Sequence, residues 1–367
     1  MQKKLLIITD EMEVGGTQRQ IVELARHLDR SNFALSLLYF RKHSHYVDEL
    51  RALGVEVFHL PKRGRLDFGF FLRLCRHLRE QEVDLIHAFS FSGELWAWLA
   101  HLFTGQGRLV TSVRSTYEWY TPLQWRFKRW ITLDSAAVIA NSSAGAENVA
   151  LRMGVRRSLI DVVHNSVKPV NVQDEAVERS NDRIVFVGRL VDHKNLHCLL
   201  RGFAEVARNH PTAALDIVGD GPLREELEAL ALRLRIAERV HFHGERRDVP
   251  RFLLQAAIAV STSYREGLCN AIMEAMSAGA PVIASNVGGN SELVTHGHNG
   301  MLFPSDDDET LAAMLLELLE DHERRRQMGE NARSDMTRFH DPRRMAAEIE
   351  RIYERCLLDE RAVVLGR

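Results

Sequence analysis

No stretch of this chain stays apolar for the roughly 20 residues that a membrane-crossing helix needs; the longest apolar runs, such as Lys4 to Thr9, fall far short. Cysteine is scarce. Cys75, Cys198, Cys269 and Cys356 stand far apart and match no metal-binding or redox spacing. The start, Met1-Gln2-Lys3-Lys4, runs straight into a strand-like segment without a small-residue cleavage site, so no secretory signal is expected. A cytoplasmic, reduced setting is the expectation. Internal repeats and low-complexity tracts are missing too, and the basic residues follow no motif that reads nucleic acid.

What is present is an alternation. The 367 residues are 45% hydrophobic, enough for two cores of ordinary domain size. Strand-like and helix-like segments alternate from the first residue, which predicts parallel sheets with crossover helices. Strands are expected near 3–9, 33–39, 55–60, 83–89, 108–113, 136–140 and 159–164. A second series is expected near 183–188, 213–218, 239–243, 258–261, 281–284 and 300–303. Between them, from Val167 to Asp182, the chain turns polar and loses its period, as a linker does. The tail is helical near 309–320, 322–337 and 342–358. In the last stretch Met345, Ile349, Ile352, Tyr353, Cys356 and Leu357 share one helical face.

The overall charge of −2 hides an asymmetry: residues 1–170 hold 23 Lys and Arg against 17 Asp and Glu, and the remainder 25 against 33. A basic half beside an acidic half points to an anionic surface or substrate for one of them.

The segments with chemical content follow strands. Ile258-Ala259-Val260-Ser261-Thr262 reads as a buried strand, and from about Leu268 the composition favours helix. Glu266 falls in the turn between them and Glu274 on the first turns of the helix. A helix start presents N–H groups and a positive dipole end suited to phosphate. Arg183 to Gly188 is a strand ending in glycine, followed by Arg189 and then His193-Lys194-Asn195 opening a helix. That places Arg189 and Lys194 at the carboxyl end of a strand, where open α/β sheets bind ligands. Ala214 to Val218 ends in Gly219-Asp220-Gly221-Pro222, and Pro281 to Ala284 leads to Gly288-Gly289-Asn290-Ser291-Glu292.

Together these segments resemble the retaining glycosyltransferases of family 4, from Gly15-Gly16 near the start to Asn299-Gly300 and beyond. The resemblance implies the α/β architecture called GT-B, two doubly wound Rossmann-like domains facing across a cleft. On that reading residues 1–166 form an acceptor-binding domain, 167–182 a linker and 183–340 a nucleotide-sugar-binding domain. Residues 341–367 form a helix returning to the first domain. The implied reaction moves a sugar from a UDP- or GDP-sugar to a saccharide or lipid-linked acceptor, in cell-surface polysaccharide or glycolipid assembly. The resemblance implies that Arg189 and Lys194 grip the donor diphosphate and that Glu266 contacts the transferred sugar. Glu274 then holds the ribose. Gly16, Gly188, Gly219, Gly221, Gly267 and the main chain of Leu268, Cys269 and Asn270 complete the donor site. Gly15, Thr17 and Arg114 are the acceptor-side residues. Cys269 is not expected to act as a nucleophile. The departing phosphate takes the acceptor proton in a front-face substitution, so the protein supplies position and charge. Neither a cofactor nor a metal is expected. Asp306-Asp307-Asp308-Glu309 reads as a helix start capped by Ser305, its acids complementing the dipole. The rival readings are a nucleotide-sugar 2-epimerase of the same fold and a non-catalytic partner subunit.

In the first domain Arg41, Lys42, Lys62, Arg63, Arg65 and Arg114 follow strands and are expected to rim the acceptor side. Thr121-Pro122 is a good helix start. On that helix Leu123, Phe127, Trp130 and Ile131 are assigned to the buried face. Trp125 lies opposite, beside Lys128 and Arg129, as a contact for an anionic membrane surface. The competing reading packs Trp125 under a neighbouring loop.

Overall fold

The computed structural model describes residues 2–64, 66–115, 117, 119–170 and 178–358. Arg65, the central part of the expected linker and the last nine residues of the tail lie outside the described residues. The chain divides into two compact units, Met1–Ser166 with Pro342–Arg367, and Val167–Asp341.

The first unit alternates β1 (Lys3–Thr9), α1 (Gly16–His27), β2 (Phe33–Tyr39), α2 (Tyr46–Ala52), β3 (Glu56–His59), α3 (Phe68–Gln81), β4 (Leu85–Ala88), α4 (Phe91–Thr104), β5 (Arg108–Val113), α5 (Pro122–Asp134), β6 (Ala137–Ala140), α6 (Ser143–Met153) and β7 (Ile160–Val162). Its seven strands are parallel in the order β3-β2-β1-β4-β5-β6-β7. The apolar content explains the layering: Leu5, Leu6, Ile7 and Ile8 of β1 are fully buried, as a strand covered on both faces requires.

The second unit continues with β8 (Arg183–Val187), α7 (Leu196–Asn209), β9 (Ala214–Val218), α8 (Arg224–Arg233), β10 (Val240–Gly244), α9 (Val249–Gln255), β11 (Ile258–Ser261), α10 (Asn270–Ser277), β12 (Val282–Ser285), α11 (Asn290–Leu293), β13 (Gly300–Phe303), α12 (Asp308–Glu320) and α13 (His322–Phe339). Six parallel strands run β10-β9-β8-β11-β12-β13. In both sheets the order reverses direction beside the first strand, between β1 and β4 and between β8 and β11. Those switch points open crevices at the carboxyl ends of the strands.

The final helix, α14 (Pro342–Leu358), belongs to the first unit. Its buried face is Met345, Ile349, Ile352, Tyr353 and Cys356, which join the cluster formed by α1, β1 and β2. Leu357 packs against the same cluster while partly exposed.

The α5 helix starts where its sequence says, with Pro122 in the first turn and a capping box between Thr121 and Gln124. Its rotation differs from the expected one. Lys128, Ile131 and Thr132 are buried, whereas Leu123 and Trp130 are 59% and 42% exposed. Trp125 packs against the cluster around Val113, Tyr117 and Val138. The cause is Glu94 of α4, buried 34 residues earlier in the chain, whose carboxylate takes the Lys128 ammonium at 2.6 and 2.5 Å. The Ser112 carbonyl accepts a further bond from the same ammonium at 3.2 Å. A buried carboxylate costs far more unpaired than a Leu or Trp costs exposed, so the ion pair sets the helix's rotation. The membrane contact assigned to Trp125 and Lys128 is therefore overturned.

Candidate functional site

Three strand-to-helix connections of the second unit meet at the switch point. The first leaves β8 through Gly188, Arg189 and Leu190 to a short 3₁₀ turn, Asp192–Lys194. Asn195 ends that turn in the left-handed conformation and caps α7 by accepting from the Cys198 N–H at 3.3 Å. The second leaves β9 through Gly219, Asp220 and Gly221. The Leu190 N–H donates to the Asp220 carbonyl at 2.9 Å, and the Leu223 N–H to the Leu190 carbonyl at 3.1 Å. Gly219 has φ 136°, and a Cβ there would sit 2.0 Å from the Gly188 carbonyl oxygen, so two of the expected donor-side glycines touch backbone to backbone.

The third connection carries β11 into α10. Thr262, Ser263 and Tyr264 brace it: the Thr262 hydroxyl donates to the Lys194 carbonyl at 2.9 Å and the Tyr264 N–H to the His193 carbonyl at 2.8 Å. Glu266 is thereby brought to Lys194, whose ammonium donates to Oε1 at 2.5 Å. The Ser263 hydroxyl donates to the same oxygen at 2.7 Å. The Lys194 and Glu266 side chains are only 17% and 12% exposed. Burial pushes the Glu266 carboxyl upward, but Lys194 and the Ser263 hydroxyl outweigh it and hold the group below its ordinary value. Burial likewise pulls the Lys194 ammonium down, and Glu266 more than restores it. The pair is charged on both sides.

Cys269 is the N-cap of α10 and contributes no side-chain bond to the helix start. Burial, then the Glu266 charge, pushes its thiol up to about 11, which removes thiolate chemistry near neutral pH. Glu274 stands on the second turn of α10, half-buried. Gly267 accepts from the Gly289 N–H at 3.0 Å, tying the loop after β12 to this one. A Cβ at Gly288, where φ is 51°, would fall 1.9 Å from the Glu266 carbonyl. Arg189 is exposed at the carboxyl end of β8. The structure thus gathers Gly188, Lys194, Gly219, Glu266 and Cys269 into one crevice wall, with Glu274 on the helix leaving it.

Sequence reading missed Ser263. A serine three residues before the glutamate was the available signal, and it meant nothing until the loop's curvature was known. The acids after β13 behave as the start of a helix, though with a different cap. Asp307, not Ser305, accepts from the Thr310 N–H at 2.9 Å, because α12 begins at Asp308, two residues later than a Ser305 cap would start it. Arg201 holds Asp306 and Asp308 at 3.2 and 2.9 Å.

In the first unit Gly15 is the N-cap of α1, and Gly16 and Thr17 form its first turn at the β1 switch point. Arg114 leaves β5 and donates to Asn165 Oδ1 at 2.7 Å, its guanidinium lying over the Phe89 ring. Burial lowers it to about 10, and its Nε is enclosed with no hydrogen-bond partner among the described residues. Of the other basic residues after strands, Arg41 and Lys42 are paired with Asp10 and Glu13 at 3.5 and 3.4 Å. Their charge is thus partly offset locally. Among the described residues no helix is long and apolar enough to cross a membrane.

Residues 14–170 match the family model Glycosyltransferase Family 4, and residues 168–335 match Glycosyl transferases group 1. N-acetyl-alpha-D-glucosaminyl L-malate synthase of Bacillus anthracis is 25% identical, over 96% of this chain and 97% of its own. The lipopolysaccharide core biosynthesis glycosyltransferase LpsD of Rhizobium meliloti (strain 1021) is 34% identical, over 70% of this chain and 72% of its own. Anabaena HepE, solved in complex with UDP-glucose, has the same fold, with a TM-score of 0.84 at 22% identity over 96% of this chain and 99% of HepE. The chain belongs to glycosyltransferase family 4: it is a glycosyltransferase built from two Rossmann-like domains of the GT-B kind.

Proposed function

We propose that the second unit binds a nucleotide-sugar, UDP- or GDP-linked, and that the enzyme transfers its sugar with retention and without a metal. The Lys194–Glu266 pair at the β8/β11 switch point carries this reading. Lys194 and Arg189 meet the diphosphate, whose negative charge grows as the glycosidic bond breaks. A fixed cation in a partly dehydrated crevice stabilises that charge more than water does. Glu266, relieved of Lys194 when phosphate arrives, has an acceptor oxygen for a sugar hydroxyl. Glu274 holds the ribose hydroxyls, and the first turn of α10 faces phosphate. No second carboxylate is required as a nucleophile, since the leaving phosphate takes the acceptor proton. Support for metal independence comes from Asp306 to Asp308, whose carboxylates are already committed to Arg201 and to the cap of α12.

The acceptor we infer is a saccharide or lipid-linked saccharide of a cell-surface polymer or glycolipid, met by the first unit at Gly15, Thr17 and Arg114. The lipopolysaccharide role in the name of LpsD supports that class. A lipid-linked acceptor calls for an anionic membrane surface, and the outward face of α5 suits one: Leu123 and Trp130 beside Arg126, whose guanidinium lies 5.6 Å over the Trp130 ring. Leu123→Ala with Trp130→Ala is expected to abolish sedimentation with phosphatidylglycerol vesicles; undiminished sedimentation removes the surface from consideration.

The donor assignment is tested by thermal shift against UDP-, GDP- and ADP-sugars without added metal. One nucleotide class is expected to raise the melting point, and Glu274→Ala to erase the rise. A rise that survives Glu274→Ala contradicts the ribose role.

A further inference from the structure

The second unit has another crevice, at the amino ends of its strands. A groove of about 1000 Å³ lies between one face of α13 and the segments leading into β8 and β12. Among the described residues its lining includes Arg179, Arg325, Arg326, Arg333 and Arg338 against the carboxylate of Glu330 alone. The α13 residues recur at helical spacing, so their side chains form one stripe.

The charges in this groove are unevenly satisfied. Arg326 is balanced by Glu330 at 3.0 Å and Glu323 at 2.6 Å. Arg179 donates to the carbonyls of Ala256 and Ala278 at 2.6 and 2.7 Å. Arg325, 5% exposed, donates to the carbonyls of Asn181, Leu318 and Leu319 at 3.0 to 3.2 Å. Carbonyls satisfy N–H groups but leave a guanidinium charge uncancelled. Arg333 and Arg338 are exposed, and among the described residues neither has a carboxylate within ion-pair distance. Asp182 acts on the Arg325 charge, but the guanidiniums of Arg179, Arg333 and Arg338 share this concave surface with no carboxylate at ion-pair distance among the described residues, in a half of the chain whose overall charge is negative. Field lines concentrate in such a groove, and the planar fork of arginine matches phosphate oxygens two at a time.

We propose that this groove is a second anion site, taking a phosphorylated small molecule with at least two negative charges. It is separate from the nucleotide-sugar crevice. The two lie at opposite ends of one sheet, about 15 Å apart by the length of a five-residue strand. The volume exceeds what a lone phosphate fills and suits a metabolite-sized ligand.

Isothermal titration of the full chain with sodium pyrophosphate tests the assignment, comparing wild type with Arg333→Ala plus Arg338→Ala. Both residues are exposed, so the variant is expected to keep the wild-type melting point. Its affinity for one class of site should fall by roughly tenfold or more, while the thermal response to nucleotide-sugar stays unchanged. Equal pyrophosphate isotherms for the two proteins overturn the proposal. A second measurement is a tungstate-soaked crystal, where the anomalous peak is expected between α13 and Arg179; tungstate confined to other places also overturns it. Binding to phosphatidic acid vesicles without binding of free pyrophosphate would transfer the groove to a lipid surface and defeat the small-molecule assignment.

Discussion

At Glu266 three groups decide one proton. Burial favours the neutral acid, and Lys194 with the Ser263 hydroxyl reverses that preference. Because the folded value lies below the ordinary 4.5, the stability this carboxylate contributes is complete above 4.5 and drains away as the pH falls through the lowered value. Lys194 lies above its ordinary 10.5, so its share is complete below 10.5 and is lost only as the pH rises through the raised value. The pair stays closed throughout the neutral range. Ser263→Ala removes one of the bonds to a charged oxygen, worth about 1.5–3 kcal/mol. The acid limb of the stability curve is expected to move to higher pH and the alkaline limb to stay in place. Melting points between pH 3 and 10 check this, and superimposable acid limbs would show that Ser263 does not act on Glu266. The site was only partly legible at this scale. Arg189, Lys194, Glu266 and Glu274 carry a pattern in their spacing from strand ends. Ser263 does not, because a serine's role depends on which oxygen it reaches.

The loops that make the crevice are elements in their own right, and glycine is their limiting part. A methyl group at Gly219 would overlap the Gly188 carbonyl, and one at Gly288 the Glu266 carbonyl. Each also has positive φ, so alanine is strained twice. Gly219→Ala and Gly288→Ala are expected to lower stability by about 1–3 kcal/mol each and to blunt the response to donor. Gly54→Ala is the control: φ is also positive there, but nothing lies within 4 Å of the added carbon, so only the backbone cost applies. Equal losses for all three would place the effect in backbone strain and not in loop contact. The strand-glycine-helix pattern made these loops visible from composition. The rotation of α5 was not visible, because an apolar stripe of Leu123, Phe127 and Trp130 loses to one buried ion pair. Periodicity records what each residue prefers on its own, whereas Lys128 is buried only because Glu94 waits for it.

At the scale of the whole molecule, the first unit is discontinuous in sequence and closes with α14. Tyr353 is fully buried and its hydroxyl shares a 2.6 Å hydrogen bond with His87 Nδ1, while Ser112 meets the other ring nitrogen at 2.8 Å. Burial, with the Arg114 charge adding to it, drops that imidazole to about 3, so it stays neutral. Tyr353→Ala is expected to cost about 3–5 kcal/mol and Tyr353→Phe about 1 kcal/mol, both confined to the unfolding transition of the first unit. Chemical denaturation followed by fluorescence separates the two units' transitions if they unfold apart. An unchanged first-unit transition in Tyr353→Ala would mean that α14 is dispensable to that core.

The alternation of apolar strands with amphipathic helices settles on its own that the chain forms two parallel sheets. The reason is local: a strand buried on both faces must be apolar throughout, and a covering helix must repeat near 3.6 residues. The same locality made the apolar face of α14 readable, and it placed the glycines and charged residues at strand ends. The tertiary structure alone decided which charges meet. Lys194 with Glu266 spans 72 residues, Lys128 with Glu94 spans 34, and the arginines of the groove come from segments before β8 and along α13. Electrostatic energy depends on distance and burial, and neither is a property of a residue until the chain has folded around it.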